Sequence, residues 1–237
     1  MMTTRRWGWV LVLSAMLTLA GCIKVDQTLT LNADGSGTLA MRYGMSEQTI
    51  AQLQAMQQMA AQGGDGLEVP QEMPFDFDPR QVRADFEADK PDGVELTALS
   101  SEEVDGWKYI DLTLTFDDIR ALKHTELFED SKLSIIPTRE GDYKLIQRGG
   151  GNTDLSGDAP GPQLMQQMTT MLTGFRIAQT IVVPGDIIKT NAPQVDGRRA
   201  SWVFDIEQDP NVIQTLADTD LELVFDGEGV KLPTLAP

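Results

Sequence analysis

Residues 23–43 read IKVDQTLTLNADGSGTLAMRY, and their rhythm decides the fold. Apolar side chains alternate at Ile23, Val25, Leu29 and Leu31, and again at Leu39, Met41 and Tyr43. A period of two places them on one face of a strand. Between the two runs stands Asn32 to Gly37, whose Asp34-Gly35 pair adopts positive φ at little cost. The expectation is a β-hairpin with one buried face. The same letters open like a calcium loop, but the twelfth position, where such a loop needs a carboxylate, is Tyr43.

Beyond this hairpin, Ser46 and Glu47 precede an apolar stripe at Ile50, Leu53, Met56 and Ala60, which reads as an N-capped helix stopping at Gly63-Gly64. Asp78-Pro79 opens a second, charged helix through about Asp89, with Val82 and Phe86 inward. Strands are expected at Val94 to Leu99 and Trp107 to Phe116, joined by a polar turn at Glu102 to Gly106. In the second of these, Asp111, Thr113 and Thr115 form a wet face. Asp117 to Asp130 suggests a short helix or ordered connection, and Leu133 to Leu145 a further hairpin turning at Gly141. Arg148 to Pro162 reads as a loop; Leu164, Met165, Met168, Met171 and Leu172 follow at helical spacing up to Gly174. Strand-like runs return at Phe175 to Val183, Ala200 to Ile206 and Leu221 to Phe225. Hairpins with helices inserted between them describe an α+β fold: a largely antiparallel twisted sheet with helices packed on one face. The echo of Met56-Gln57-Gln58-Met59 in Met165-Gln166-Gln167-Met168 fits chance better than a worn duplication, since four-residue matches arise readily in Gln- and Met-rich helices.

The N-terminus has the three regions of an export signal: Arg5 and Arg6, an apolar run from Trp7 to Leu19, and the lipobox Leu19-Ala20-Gly21-Cys22. Small residues let the backbone enter a peptidase site, and the thiol of Cys22, the sole cysteine, is the soft nucleophile a thioether needs. The run is shorter than the ~18 to 20 residues that span a bilayer. Residues 1–21 are therefore expected to be a cleaved lipoprotein signal peptide, 22–226 a lipid-anchored α+β domain and 227–237 a C-terminal tail. Several acyl chains, palmitate among them, would make a stable anchor where one holds only marginally. Ile23 stands where many lipoproteins retained in the inner membrane carry aspartate, so in a two-membrane cell the expected location is the outer membrane, facing the periplasm.

Loss of Arg5 and Arg6 with the leader takes the formal charge from −17 to −19. An acidic domain repels nucleic acid and anionic headgroups alike, so no nucleic-acid partner is expected and membrane attachment falls to the lipid on Cys22. With one cysteine spent on the anchor there is no internal disulfide, and the 216 residues left after cleavage must be held by an ordinary apolar core.

Cys22-Ile23-Lys24-Val25-Asp26, then Leu29 to Gly37, then Pro184-Gly185-Asp186, Thr190-Asn191-Ala192, Asp196-Gly197 and Trp202 occur in that order behind the lipobox. In these stretches the chain resembles the LppM-type lipoproteins, exported bacterial proteins with a lipid-modified cysteine. The resemblance covers the two ends of the mature chain, while the middle shares only a strand rhythm. It implies an α/β envelope domain similar to lipid-binding folds and brings no catalytic residues. The same positions also read as fold chemistry: Pro184-Gly185 ends a strand, Asn191 suits a turn, Asp196-Gly197 is a hairpin turn and Trp202 a large core residue.

The residues suggest no enzyme. His124 is the only histidine and reads as a surface residue near a helix end; Gly149-Gly150-Gly151 lacks the Lys-Ser/Thr that grips phosphate. The neighbouring pairs Asp117-Asp118 and Glu102-Glu103 read as solvated charge rather than general acid and base. No cofactor or metal is called for. Methionine is the more suggestive signal, at Met45, Met56 and Met59 and at Met165, Met168 and Met171. If these stripes face the sheet they are core. If Met165, Met168, Met171 and Leu172 line a groove, they suit an acyl chain or lipid of the envelope. The functional expectation is a non-enzymatic envelope lipoprotein binding an apolar ligand, with a structural or assembly role through protein contacts as the alternative.

Overall fold

A computed structural model describes residues 23–61, 76–125, 133–148 and 174–235. The hairpin forms as its alternation demands: β1 (Ile23–Leu31) pairs antiparallel with β2 (Gly37–Ser46), Leu29 opposite Leu39 and Ile23 opposite Met45. Leu29, Leu31, Leu39, Met41 and Met45 are buried on one face. Fully burying each such side chain stabilises the fold by roughly 1.5 to 3 kcal/mol.

The turn between these strands is built by its own side chains and clamped by two distant segments. The Ser36 amide and hydroxyl both donate to the Asp34 carboxylate, which holds that carboxyl below its ordinary range, the hydroxyl bond contributing most. The Ile119 amide donates to the Gly35 carbonyl at 2.9 Å and the Lys231 amide to that of Ala33 at 2.7 Å. Gly35 has φ +91°, and a Cβ there would lie 2.8 Å from Pro233 Cδ. Gly35→Val is therefore expected to cost about 1 kcal/mol or more through backbone conformation alone, with added strain against Pro233. A lowered urea midpoint checks this, and an unchanged one refutes it.

From β2 the chain enters α1 (Glu47–Ala61), capped by Ser46, whose Oγ accepts the Thr49 amide at 3.2 Å. The second helix, α2 (Pro79–Ala88), starts as expected at Asp78, which accepts the Arg80 amide at 2.9 Å. Val82 and Phe86 are half-buried against the core. Next come β3 (Val94–Val104) and β4 (Trp107–Phe116). The polar stretch from Glu102 is not a turn but the end of β3, and only Asp105 and Gly106 turn, both with positive φ. Acidic residues are accommodated in this strand because each faces a cation: Glu102 meets Arg42 at 2.7 Å and Glu103 meets Lys108 at 3.8 Å. A 3₁₀ helix (Ile119–His124) follows, buries Ile119 and Leu122, and leaves His124 exposed at its end.

The remaining strands are β5 (Leu133–Pro137), β6 (Tyr143–Gln147), β7 (Arg176–Val182), β8 (Ile187–Thr190), β9 (Gln194–Asp196), β10 (Arg199–Asp205) and β11 (Leu221–Phe225), with α3 (Val212–Asp218) before the last. β8, β9 and α3 are too short, at 4, 3 and 7 residues, to carry a readable period.

The α+β class holds, but the strands divide between two sheets: seven in the order β3-β4-β2-β1-β7-β10-β9, and four in the order β5-β6-β11-β8. All pairings are antiparallel except β1 with β7. Buried residues of both sheets join one apolar cluster, against which Ile50 and Leu53 of α1, Val82 and Phe86 of α2, and Ile213 and Leu216 of α3 pack. The stretch expected as a tail is part of this body to residue 235: Val230, Leu232 and Leu235 are buried, and Leu235 exchanges two backbone hydrogen bonds with Ile135. The apolar spacing of these residues lets the chain end close over the edge strand β5.

Candidate functional site

One face of the seven-stranded sheet is the core. The other carries the alternate side chains of the same strands, and the register lines them up in rows. Thr30, Thr38 and Thr115 share one row, and Thr28, Ala40 and Thr113 the next. Asp26, Arg42 and Asp111 follow, then Lys24, Gly44 and Tyr109. Last, at the end where β1 begins, come Ser46, Trp107 and Val104. The face thus runs from threonine, through paired charge, to aromatic and cationic groups.

The charged and aromatic rows form a connected array. Arg42 bridges Asp111 and Glu102, each at 2.7 Å, and its guanidinium carbon lies 4.2 Å from the centre of the Tyr109 ring. The hydrogen bond to Glu102 is the chief cause that raises the Arg42 pKa. Partial burial raises that of Tyr109, opposed by the nearby Arg42 charge. Lys24 Nζ lies 3.8 Å from the centre of the Trp107 ring, and the Trp107 and Tyr109 rings are 6.0 Å apart and nearly parallel. Arg176 of β7 pairs with Asp26 of β1.

A glycine two residues before the end of β2 makes this possible. An added Cβ at Gly44 would lie 2.3 Å from Tyr109 Cδ1, so the phenol ring lies flat across the backbone where a side chain would stand. Gly44→Val is expected to expel the ring and destabilise the domain by roughly 1 to 3 kcal/mol, with Gly44→Ala smaller in effect. Thermal melts of the pair test this, and two unchanged melting temperatures would refute the packing.

The array contributes little to holding the fold together. Exposed ion pairs contribute about 0 to 1 kcal/mol and exposed cation–π contacts about 0.5 to 1 kcal/mol, against several such amounts for each handful of core leucines. Its chemistry is that of a recognition surface: fixed charges, flat rings and short polar side chains on a rigid sheet. Among the described residues no group of three or more His, Cys, Asp or Glu is placed to hold a metal ion.

Cys22 and the groove candidates Met165, Met168, Met171 and Leu172 fall outside the described residues. Of the first methionine group, Met45 is core, at 1% exposure. Asp117-Asp118 and Glu102-Glu103 do not converge: Asp118 binds Arg120, whose hydrogen bonds lower its pKa, and Glu102 and Glu103 go to separate cations. Sequence reasoning noticed the wet face of β4 but missed Lys24, Arg42, Trp107 and Tyr109 as a group. The signal available was Gly44 interrupting an alternating strand.

No helix among the described residues is long and apolar enough to cross a membrane. No protein-family model matches the chain and no curated protein matches it. Among solved structures, the chain is similar to the NMR structure of the folded domain of LppM from Mycobacterium tuberculosis, at 12% identity and a TM-score of 0.42 over 90% of this chain and 95% of that one.

Proposed function

We propose that the protein is a non-enzymatic lipoprotein of the cell envelope, tethered through acylated Cys22 and binding an apolar or lipid ligand at the membrane surface. The observation that carries this reading is the start of the fold. Ile23 is already paired in β1, one residue after Cys22, so an anchor on that cysteine has no linker between it and the sheet. Successive Cα atoms are 3.80 Å apart, which fixes the domain against the leaflet that holds the acyl chains. A domain held so close meets lipids and other envelope amphiphiles before any soluble partner. The lipobox supports cleavage before Cys22, and Ile23 rather than aspartate supports the outer membrane, facing the periplasm, in a cell with two membranes.

The test is mass spectrometry of the protein purified from its host. The N-terminal peptide is expected to begin at Cys22 and carry acyl mass, and the intact domain, sprayed under native conditions, to retain an apolar species. A peptide starting at Met1 without acyl mass would refute the anchor. An acylated protein that carries nothing, and takes up no fluorescent fatty acid, would refute the ligand and favour a role through protein contacts.

A further inference from the structure

The end of the large sheet nearest Cys22 brings aromatic, apolar and cationic side chains together. Ile23 lies in the row of Met45, Lys108 and Glu103; the row beyond it, on the side from which the chain enters, holds Ser46, Trp107 and Val104. The Gly106 carbonyl of the β3–β4 turn accepts the Glu47 amide at 2.9 Å, joining that turn to the start of α1. Val104 is 40% exposed, one of few large apolar side chains in the described residues to be so. Trp107 is half-buried beside it, with the Lys24 ammonium over its ring, and Lys108 stands one position along β4.

We infer that this rim is the surface on which the domain rests on the membrane: Trp107 and Val104 enter the headgroup region of a zwitterionic leaflet, with Lys24 and Lys108 at the level of the lipid phosphates. The inference rests on the anchored reading above. Acyl chains in the hydrocarbon hold residue 22 at headgroup depth, and one residue of chain gives the rim no room to stand away. Tryptophan and lysine are the side chains that settle at this depth, the indole by its amphipathic ring and the lysine by its apolar stem and charged head. Glu47, Glu103 and Asp105 share this end, so an anionic leaflet would repel it as it repels the acidic domain as a whole. A zwitterionic one does not.

Tryptophan emission tests this directly. Trp7 and Trp9 leave with the leader, so the mature protein has Trp107 and Trp202, and Trp202 is 2% exposed in the core. Acylated protein from host membranes is reconstituted into phosphatidylcholine vesicles whose chains are brominated close to the headgroup. The wild type is expected to lose about half of its emission relative to unbrominated vesicles, because one of its two tryptophans lies at the interface. Trp107→Phe, a change on the open face that spares the core, is expected to lose almost none. Equal emission in both vesicle types, or equal quenching of wild type and variant, overturns the rim. Mass analysis of the N-terminal peptide from the same sample separates the two failures. With acyl mass present, only the rim falls; without it, the anchored reading falls as well.

Discussion

Cys22→Ser is expected to abolish acyl incorporation altogether and leave a precursor that still carries residues 1–21. Serine has no sulfur with which to form the thioether on which cleavage depends, and no other cysteine can substitute. The effect is all-or-none rather than a matter of degree. Metabolic labelling with a tagged fatty acid, read beside the mass of the N-terminal peptide, gives both consequences in one sample. Normal labelling of the variant would show that attachment lies elsewhere, and the orientation argued for the sheet would go with it. The folded domain should be indifferent to the change, since Cys22 precedes the first paired residue. Urea midpoints of the wild-type and variant domains should therefore coincide.

Asn191→Ala is expected to destabilise the domain by about 2 kcal/mol, because a single side chain ties the two sheets together. Its Oδ1 accepts both the Trp202 indole N–H of β10, at 3.2 Å, and the Glu222 amide of β11, at 2.9 Å, while its Nδ2 donates to the Asp220 carbonyl at 2.6 Å. Alanine leaves the N–H of Trp202, itself 2% exposed, without a partner, which is the costly part of the loss. The exposed position of Asn191 lets water replace the bond to Asp220, which keeps the total toward the lower end. In a Trp202→Phe background, where the indole donor is already gone, the further loss in urea midpoint on Asn191→Ala should be smaller than in the wild type. An equal loss in both backgrounds would show that the contact with Trp202 is not what joins the sheets.

This asparagine also shows what the resemblance to LppM-type lipoproteins is made of. Thr190-Asn191-Ala192, Asp196-Gly197 and Trp202 are structural parts: Thr190 Oγ1 donates to the Glu222 carbonyl, Gly197 turns the β9–β10 hairpin with φ +57°, and Trp202 fills the core. Turn propensity and side-chain size are enough to assign Asn191, Gly197 and Trp202 these local roles. That Thr190 and Asn191 meet Glu222 of β11 is not legible in the same way, since 31 residues separate Asn191 from Glu222.

Local geometry is written in the order of the residues: which side of β1, β2, β4 and β10 is buried, the Asp34-Gly35 turn, and the Ser46 and Asp78 helix starts. Alternation, capping and glycine conformation act within a few residues, so they are legible along the chain. Partnership belongs to the folded molecule. Folding sets β1 parallel to β7 across some 150 residues, divides the strands into two sheets and draws Val230, Leu232 and Leu235 into the core. It also brings Lys24, Arg42, Trp107 and Tyr109 from three strands into one array. An alternating strand specifies its two faces but not its neighbour, because backbone hydrogen bonds are the same for every partner, and the choice is made by side-chain packing between segments far apart in the chain.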